Sequence, residues 1–359
     1  MAHKILLTIL VLTLAISTFA QSGRVKKKGD KEETKPNSDI NYVPTQTVKE
    51  KLKSEMDGSP IPTPKKLDEG DVINVESALV PIPISVIDRQ NGKALTDLEL
   101  KDFVLKVDEQ IVEIGELFRS ESPVRLTLLF DNSSSVLIAR EFEQKAAIRF
   151  FKRVIRPEKD LAALYSVAGI SQLEQPLTKD VSALIRAIKN LPPPKGATSL
   201  HDALIEASNY LEDYNGRRVI VVVSDGQDTL SDSTFDNMVK IVQQNNCQVY
   251  IVQTTDFENN KRTGNRGGSA NLRALAAERR MENLAIQTGG AVYTPINERE
   301  LDEAFNQISA ELSNQYILGY YPTDETKDNR FRTIDLQIKS DKNLTIRARK
   351  GYYVSKKLR

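Results

Sequence analysis

The chain is 359 residues long, 40% hydrophobic and 28% charged, with 50 Lys+Arg against 49 Asp+Glu. A net charge of +1 supplies no global field for phosphate backbones, so nucleic acid is not an expected partner. Two histidines, His3 and His201, and one cysteine, Cys247, exclude an internal disulfide and a multi-histidine zinc site, and they argue against histidine-based catalysis.

Residues 1–20 read as a secretory signal. His3 and Lys4 make a basic start, an apolar run extends from Ile5 to Ile16, and Thr18-Phe19-Ala20 offers small residues for cleavage before Gln21. The alternative is an uncleaved membrane anchor, for which the apolar run is short. No later stretch is long and apolar enough to span a bilayer. The expected product is exported, periplasmic or extracellular, with no transmembrane segment after signal cleavage. Residues 21–70 are polar and charged and carry Pro36, Pro44, Pro60, Pro62 and Pro64. So few large apolar residues cannot offset chain entropy, which predicts a disordered linker.

Residues 71–120 read as a small β unit. Val80, Ile82, Ile84 and Val86 alternate as in a half-buried strand, and Pro81 and Pro83 on the other face predict an edge strand. Asn91-Gly92 marks a turn. Residues 103–107 and 111–117 read as two strands joined by a tight turn at Asp108-Glu109-Gln110. Such a unit is too small to be stable alone.

Over residues 121–314 strands and helices alternate. Ala147, Phe150, Phe151 and Val154 share a helix face. So do Val181, Leu184, Ile185 and Ile188, and so do Leu200, Ala203, Leu204, Ala207 and Leu211. Further faces are Phe235, Met238, Val239 and Val242, then Leu301, Ala304, Phe305, Ile308 and Leu312. Between them, residues 161–167, 219–223 and 249–252 are apolar runs suited to central parallel strands. The pattern predicts an α/β fold with a doubly wound, mainly parallel sheet flanked by helices. Residues 171–177 read as an antiparallel edge hairpin, 256–269 as a mobile polar loop, and 270–287 as a helix capped at Gly289-Gly290. Residues 315–359 hold strand candidates at 315–321, 332–338 and 344–348, which are expected to pack with the N-terminal β unit.

The stretch that carries chemistry is Asp131-Asn132-Ser133-Ser134-Ser135, directly after the apolar run from Val124 to Phe130. A buried strand ending in a carboxylate and hydroxyls is where ligands bind in open α/β sheets. Two other polar loops fall at the same end of the sheet, one holding Thr198 within Lys195-Gly196-Ala197-Thr198, the other Asp225 within Ser224-Asp225-Gly226. Asp131, Ser133, Ser135, Thr198 and Asp225 are oxygen donors suited to Mg²⁺ or Ca²⁺ rather than zinc. The competing reading is that Asp131, Ser133 and Thr198 cap helices. Asp202 and Asp228 read as supporting or surface charges, His201 as a satisfied histidine on the surface or at a helix start, Cys247 as a small buried hydrophobe, and Tyr320 and Tyr321 as packing groups of the β unit.

These residues resemble the von Willebrand factor type A domain. Its metal-ion-dependent adhesion site reads Asp-x-Ser-x-Ser, then Thr, then Asp in an Asp-Gly turn, and the five positions match Asp131, Ser133, Ser135, Thr198 and Asp225 in order. The flanking strands and the run from Gln315 to Pro322 also resemble a bacterial group of exported type A-related proteins, many of them from Acidobacteria. The resemblance implies Mg²⁺ (or Mn²⁺ or Ca²⁺) held by Ser133, Ser135 and Thr198, directly or through water, with Asp131 and Asp225 coordinating or holding bound waters. It further implies a protein or peptide ligand that offers an acidic side chain to the metal, and hence binding rather than catalysis. Two alternatives stand beside it: a metal-dependent hydrolase or phosphatase, and a metal-independent scaffold of an envelope assembly.

Overall fold

A computed structural model describes residues 79–265, 272–322, 330–339 and 343–354. The expected signal segment and linker, residues 1–20 and 21–70, lie outside them. The first described strands are β1 (Val80–Asp88), β2 (Phe103–Val107), β3 (Gln110–Val112) and β4 (Glu116–Arg119). The expected single strand over residues 111–117 is instead two, because the chain leaves one sheet after Val112 and enters another at Glu116. Asp108 and Glu109 take positive φ, 47° and 68°, in the tight turn between β2 and β3.

The α/β segment runs β5 (Val124–Asp131), α1 (Arg140–Val154), β6 (Leu161–Val167), β7 (Gln172–Thr178), α2 (Val181–Asn190), α3 (Leu200–Glu212) and β8 (Arg217–Ser224). It continues through α4 (Phe235–Gln244), β9 (Cys247–Gln253), α5 (Thr255–Thr263), α6 (Leu272–Thr288), β10 (Val292–Tyr293) and α7 (Glu298–Ser313). The six strands lie in the order β10-β9-β8-β5-β6-β7. All pair in parallel except β7, which runs antiparallel to β6 at the edge, as the sequence predicts.

Residues on alternate sides of the strands face opposite layers. Leu126, Leu128 and Phe130 pack with α1, α2 and α7, through Phe150, Leu184 and Phe305 among others. Leu129, Ile220 and Val222 pack with α3, α4 and α6, through Leu204, Met238 and Met281. Burying both faces is what makes these strands near-continuous apolar runs.

The stretch expected to be a mobile loop begins instead with a helix, α5; residues 266–271 lie outside the described set. Phe257 supplies the reason, because its ring stacks on Phe142 of α1 with centroids 3.8 Å apart. Gly264, at φ +75°, closes α5 by donating its N–H to Asn260 O at 2.8 Å.

After α7 the chain forms β11 (Tyr316–Tyr320), β12 (Phe331–Ile338), β13 (Leu344–Ala348) and β14 (Gly351–Tyr353). They complete two antiparallel sheets with the early strands, ordered β13-β1-β11-β4 and β14-β12-β2-β3. Ile82, Ile84, Leu105, Leu318 and Ile334 are buried together in the core these sheets share. β1 is therefore not an edge strand. Its first half pairs with β11 and its second half with β13, so the prolines fall where only one neighbour is present. On the open side Pro81 O accepts from Arg349 Nη2 at 2.8 Å. Tyr320 is buried as expected and its hydroxyl bonds that of Tyr352, whereas Tyr321 is 47% exposed and does not pack in this core.

Arg217, on β8, fastens the α/β segment to the β strands. It donates to Leu312 O at the end of α7 and to Gln315 Oε1, both at 2.8 Å. Among the described residues no helix is long and apolar enough to cross a membrane.

Ending the chain at Asn314 removes β11 from between β1 and β4 and β12 from beside β2. Amide hydrogen exchange is then expected to lose protection at Val80–Asp88 and Phe103–Val107 while the α/β segment keeps it. Unchanged protection of both strands would contradict the dependence of the early strands on the late ones.

Candidate metal centre

Asp131 ends β5 and Ser224 ends β8, and the two strands are parallel neighbours with Phe130 opposite Val223. This register brings the Asp131 loop beside the Asp225 loop. Ser224 Oγ donates to Asp131 Oδ2 at 2.5 Å and accepts from Gly226 N at 2.9 Å, tying one loop to the other. Ser224 is thus a structural member of the site that the sequence motif omits, although it directly precedes Asp225. Asp131 Oδ1 accepts from Ser133 N at 2.9 Å, a turn that directs the following serines back over the strand end. Ser133 Oγ and Ser135 Oγ lie 2.9 Å apart and share a hydrogen bond. Ser133 is buried and Ser135 is exposed.

The Thr198 loop is bound to the Asp131 loop through its backbone. Lys195 N donates to Asn132 O at 2.9 Å and Ser134 N donates to Gly196 O at 3.1 Å. On the other side Thr198 O accepts from Thr229 N and Leu230 N, in the loop that follows Asp225. Thr198 is buried, and its N–H donates to Thr229 Oγ1 at 3.0 Å. Asp225 is buried and accepts from Gln227 N at 2.9 Å and Gln227 Nε2 at 3.0 Å. The turn after it requires glycine: Gly226 has φ +78°, and a Cβ there would stand 2.9 Å from Met281 Cγ.

The structure therefore brings all five sequence-predicted oxygen residues to the C-terminal edge of the parallel sheet. Capping does not account for them. Ser133 precedes the short 3₁₀ turn Ser134–Ile138 without a side-chain cap bond, and Ser199, not Thr198, sits at the start of α3. The cap of α3 is Asp228, whose Oδ1 accepts from Leu200 N at 2.7 Å and His201 N at 3.2 Å. Asp202 in turn accepts from the backbone of Asp232 and Ser233. Both aspartates thus brace the loops rather than line the site. His201 is buried rather than on the surface, with Nδ1 3.2 Å from Ser233 O and 3.5 Å from Asp228 Oδ2. Cys247 is buried and its thiol is pushed up to about 12 by burial, which fits an inert packing role.

Two acids that the sequence motif does not include stand close by. Glu143, on the first turn of α1, is fully buried, and neither of its carboxylate oxygens has a hydrogen-bond partner among the described residues. Glu258, on α5, is buried and pairs with Arg262 at 3.1 Å. The Phe142–Phe257 stack brings the two helix starts together. The sequence carries a signal for Glu143, which lies four residues before Ala147 on the apolar face of α1. It carries none for Glu258, whose polar neighbours predict a loop.

The charges crowd one another. Burial first, then the Asp225 charge, raises the Asp131 carboxyl from 3.8 to about 6, against hydrogen bonds from Ser224 and Ser133. Burial and the Asp225 charge likewise bring Glu258 to about 7, and burial followed by the Asp131 charge lifts Glu143 well above the usual carboxylate range. The donor set fits a hard divalent cation: hydroxyl and carboxylate oxygens with excess negative charge. Among the described residues no three His, Cys, Asp or Glu side chains are close enough together to hold an ion, so such a cation would rely on the hydroxyls.

Without metal, a carboxyl whose pKa is raised in the folded state stabilises that state fully below its unfolded value. The contribution is lost as pH climbs through the folded value. For Asp131 the window runs from 3.8 to about 6, and each tenfold difference in proton affinity between folded and unfolded chain corresponds to about 1.4 kcal/mol. In EDTA the urea midpoint is expected to fall from about pH 5 to about pH 8, and to fall less in Asp131→Asn. A midpoint that rises over this interval would contradict the crowding.

A family profile, the von Willebrand factor type A domain, matches residues 126–227. No curated protein matches the chain. Among solved structures the chain is similar to the conserved hypothetical protein BatB from Bacteroides thetaiotaomicron, with 16% identity over 53% of this chain and 98% of that one and a TM-score of 0.42. It is similar to an aerotolerance-related membrane protein from Bacteroides fragilis, with 19% identity over 52% of this chain and 98% of that one and a TM-score of 0.40. A third similar structure is the vWF domain of the type V pili tip protein Mfa5 from Porphyromonas gingivalis, with 14% identity, 53% and 95% coverage and a TM-score of 0.43.

Proposed function

We propose that this chain, whose residues 126–227 belong to the von Willebrand factor type A family, is an exported binding protein that grips a protein or peptide partner through a divalent cation. The ion is Mg²⁺, or Mn²⁺ or Ca²⁺ in its stead, since every donor is oxygen. Ser133, Ser135 and Thr198 supply hydroxyls, and Asp131 and Asp225 supply charge, directly or through water. Neutral hydroxyl ligands leave such an ion strongly Lewis acidic, so it favours one further anionic ligand. An acidic side chain of the partner meets that need.

The observation that carries this reading is the meeting of three hydrogen-bonded loops that bury Asp131, Thr198 and Asp225 together and expose Ser135. The surroundings add to it. Leu137 and Ile138 follow Ser135 and are 60% and 49% exposed; Ile170 and Leu230, beside the Thr198 loop, are 86% and 55% exposed. Large aliphatic side chains held in water around a charged centre suit a partner whose acid is flanked by apolar residues. Binding is favoured over turnover because His201, the one histidine among the described residues, is buried, which leaves no solvent-exposed imidazole among them to serve as a general base.

Calorimetry with Mn²⁺ tests the site. Wild type is expected to bind one ion, and Ser133→Ala to lose more than the roughly 10–100-fold that removal of an outer partner costs. Equal binding by the two proteins would sink the assignment.

A further inference from the structure

Glu143 is one of two buried acids at this edge outside the five-residue motif, and unlike Glu258, which pairs with Arg262, neither of its oxygens is bonded among the described residues. It is fully buried on the first turn of α1, where the helix N-terminus favours an ionised carboxylate. Yet both of its oxygens lack hydrogen-bond partners among the described residues. Its electrostatic neighbours include three acids, Asp131, Glu258 and Asp225, and the hydroxyl of Thr254, with Arg140 the opposing cation. Thr254 follows β9 at the same sheet edge, its N–H bonded to Ser224 O at 3.0 Å. Its Oγ1 is also fully buried and unpartnered, near enough to bear on Glu143 but outside hydrogen-bond geometry.

The charge count points the same way. Asp131, Glu143, Asp225 and Glu258 are four carboxylates. Two guanidiniums oppose them: Arg262, paired with Glu258, and Arg140, which senses Glu143 and Asp131 while its Nη2 donates to Pro192 O. With all four carboxylates ionised, the formal excess is two negative charges, which one divalent cation would cancel.

We propose that Glu143 is a positioning residue of the metal centre: with Thr254 it orients a water bound on the protein side of the divalent cation. The proposal rests on the metal-site reading above. A water that donates to Glu143 and meets Thr254 Oγ1 would satisfy groups that are otherwise costly to bury. Outer partners of this kind fix the position of a metal and tune its affinity without touching it. The open side, with Ser135, stays free for the partner's acid.

The test compares Mn²⁺ binding by wild type, Glu143→Gln, Thr254→Val and Ser133→Ala, using calorimetry and the EPR spectrum of bound Mn²⁺, with thermal unfolding in EDTA beside them. Glu143→Gln keeps the shape and removes the charge. It is expected to bind Mn²⁺ about 10-fold more weakly, to alter the zero-field splitting of the bound ion, and to melt higher than wild type in EDTA because carboxylate repulsion is relieved. Opposite signs in one variant separate this outcome from damaged folding. Thr254→Val changes no charge and is expected to weaken Mn²⁺ binding a few-fold, which separates water orientation from bulk charge and decides the matter should Glu143→Gln fail to fold. If wild type binds Mn²⁺ and Ser133→Ala does not, while Glu143→Gln binds as wild type or Thr254→Val is without effect, the role of Glu143 is overturned and the metal site stands. If wild type binds no Mn²⁺, both readings fall.

Discussion

The parallel ladder between β5 and β8 is the constraint on which the rest depends. Its register sets Phe130 opposite Val223, so the two strands end side by side and deliver Asp131 and Asp225 to one point. Two carboxylates brought together in a buried place repel, and the fold does not avoid this; it adds Glu143 and Glu258 nearby. Hydrogen bonds to Asp131 from Ser224 and from the Ser133 backbone offset part of the cost. Excess charge of this kind is costly to the fold, and the proposed cation would offset it.

The remaining architecture secures that edge. The two helical layers bury both faces of the sheet and hold the strand ends in register. Polar loop-to-loop bonds then set the Thr198 loop against the Asp131 loop, and Asp228 caps α3 from the loop beyond Asp225. At the opposite end Arg217 binds Leu312 O and Gln315, so the strands built from both ends of the described chain are anchored to the sheet far from the site. Glu311 on α7, buried and held by Tyr250, Tyr293 and Arg347 of β13, adds a second tie.

Much of this is legible in the sequence because it is written in local patterns. The apolar periodicities of α1 to α4 and α7 and the apolar runs of β6, β8 and β9 each follow from burial on one side or both. Asp131, Ser133, Ser135, Thr198 and Asp225 stand in short turns whose chemistry can be read without coordinates. What is not legible depends on tertiary contact. α5 looks like a polar loop because its one large apolar residue, Phe257, finds its partner Phe142 on a distant helix. Pro81 and Pro83 suggest an edge, but β1 shares its length between two partners. Glu258 looks like an ordinary loop charge until Phe257 draws α5 onto α1, and the break that sends β3 and β4 to different sheets has no strong local mark.

The claim that the three loops hold a divalent cation is tested most directly by diffraction from Mn²⁺-soaked crystals at a wavelength where manganese scatters anomalously. The account predicts one strong anomalous peak at the C-terminal edge of the sheet, about 2.2 Å from the hydroxyl oxygens of Ser133 and Ser135, with Thr198 and Asp225 around it. No peak there, or a peak at a site lacking these serines, would contradict it.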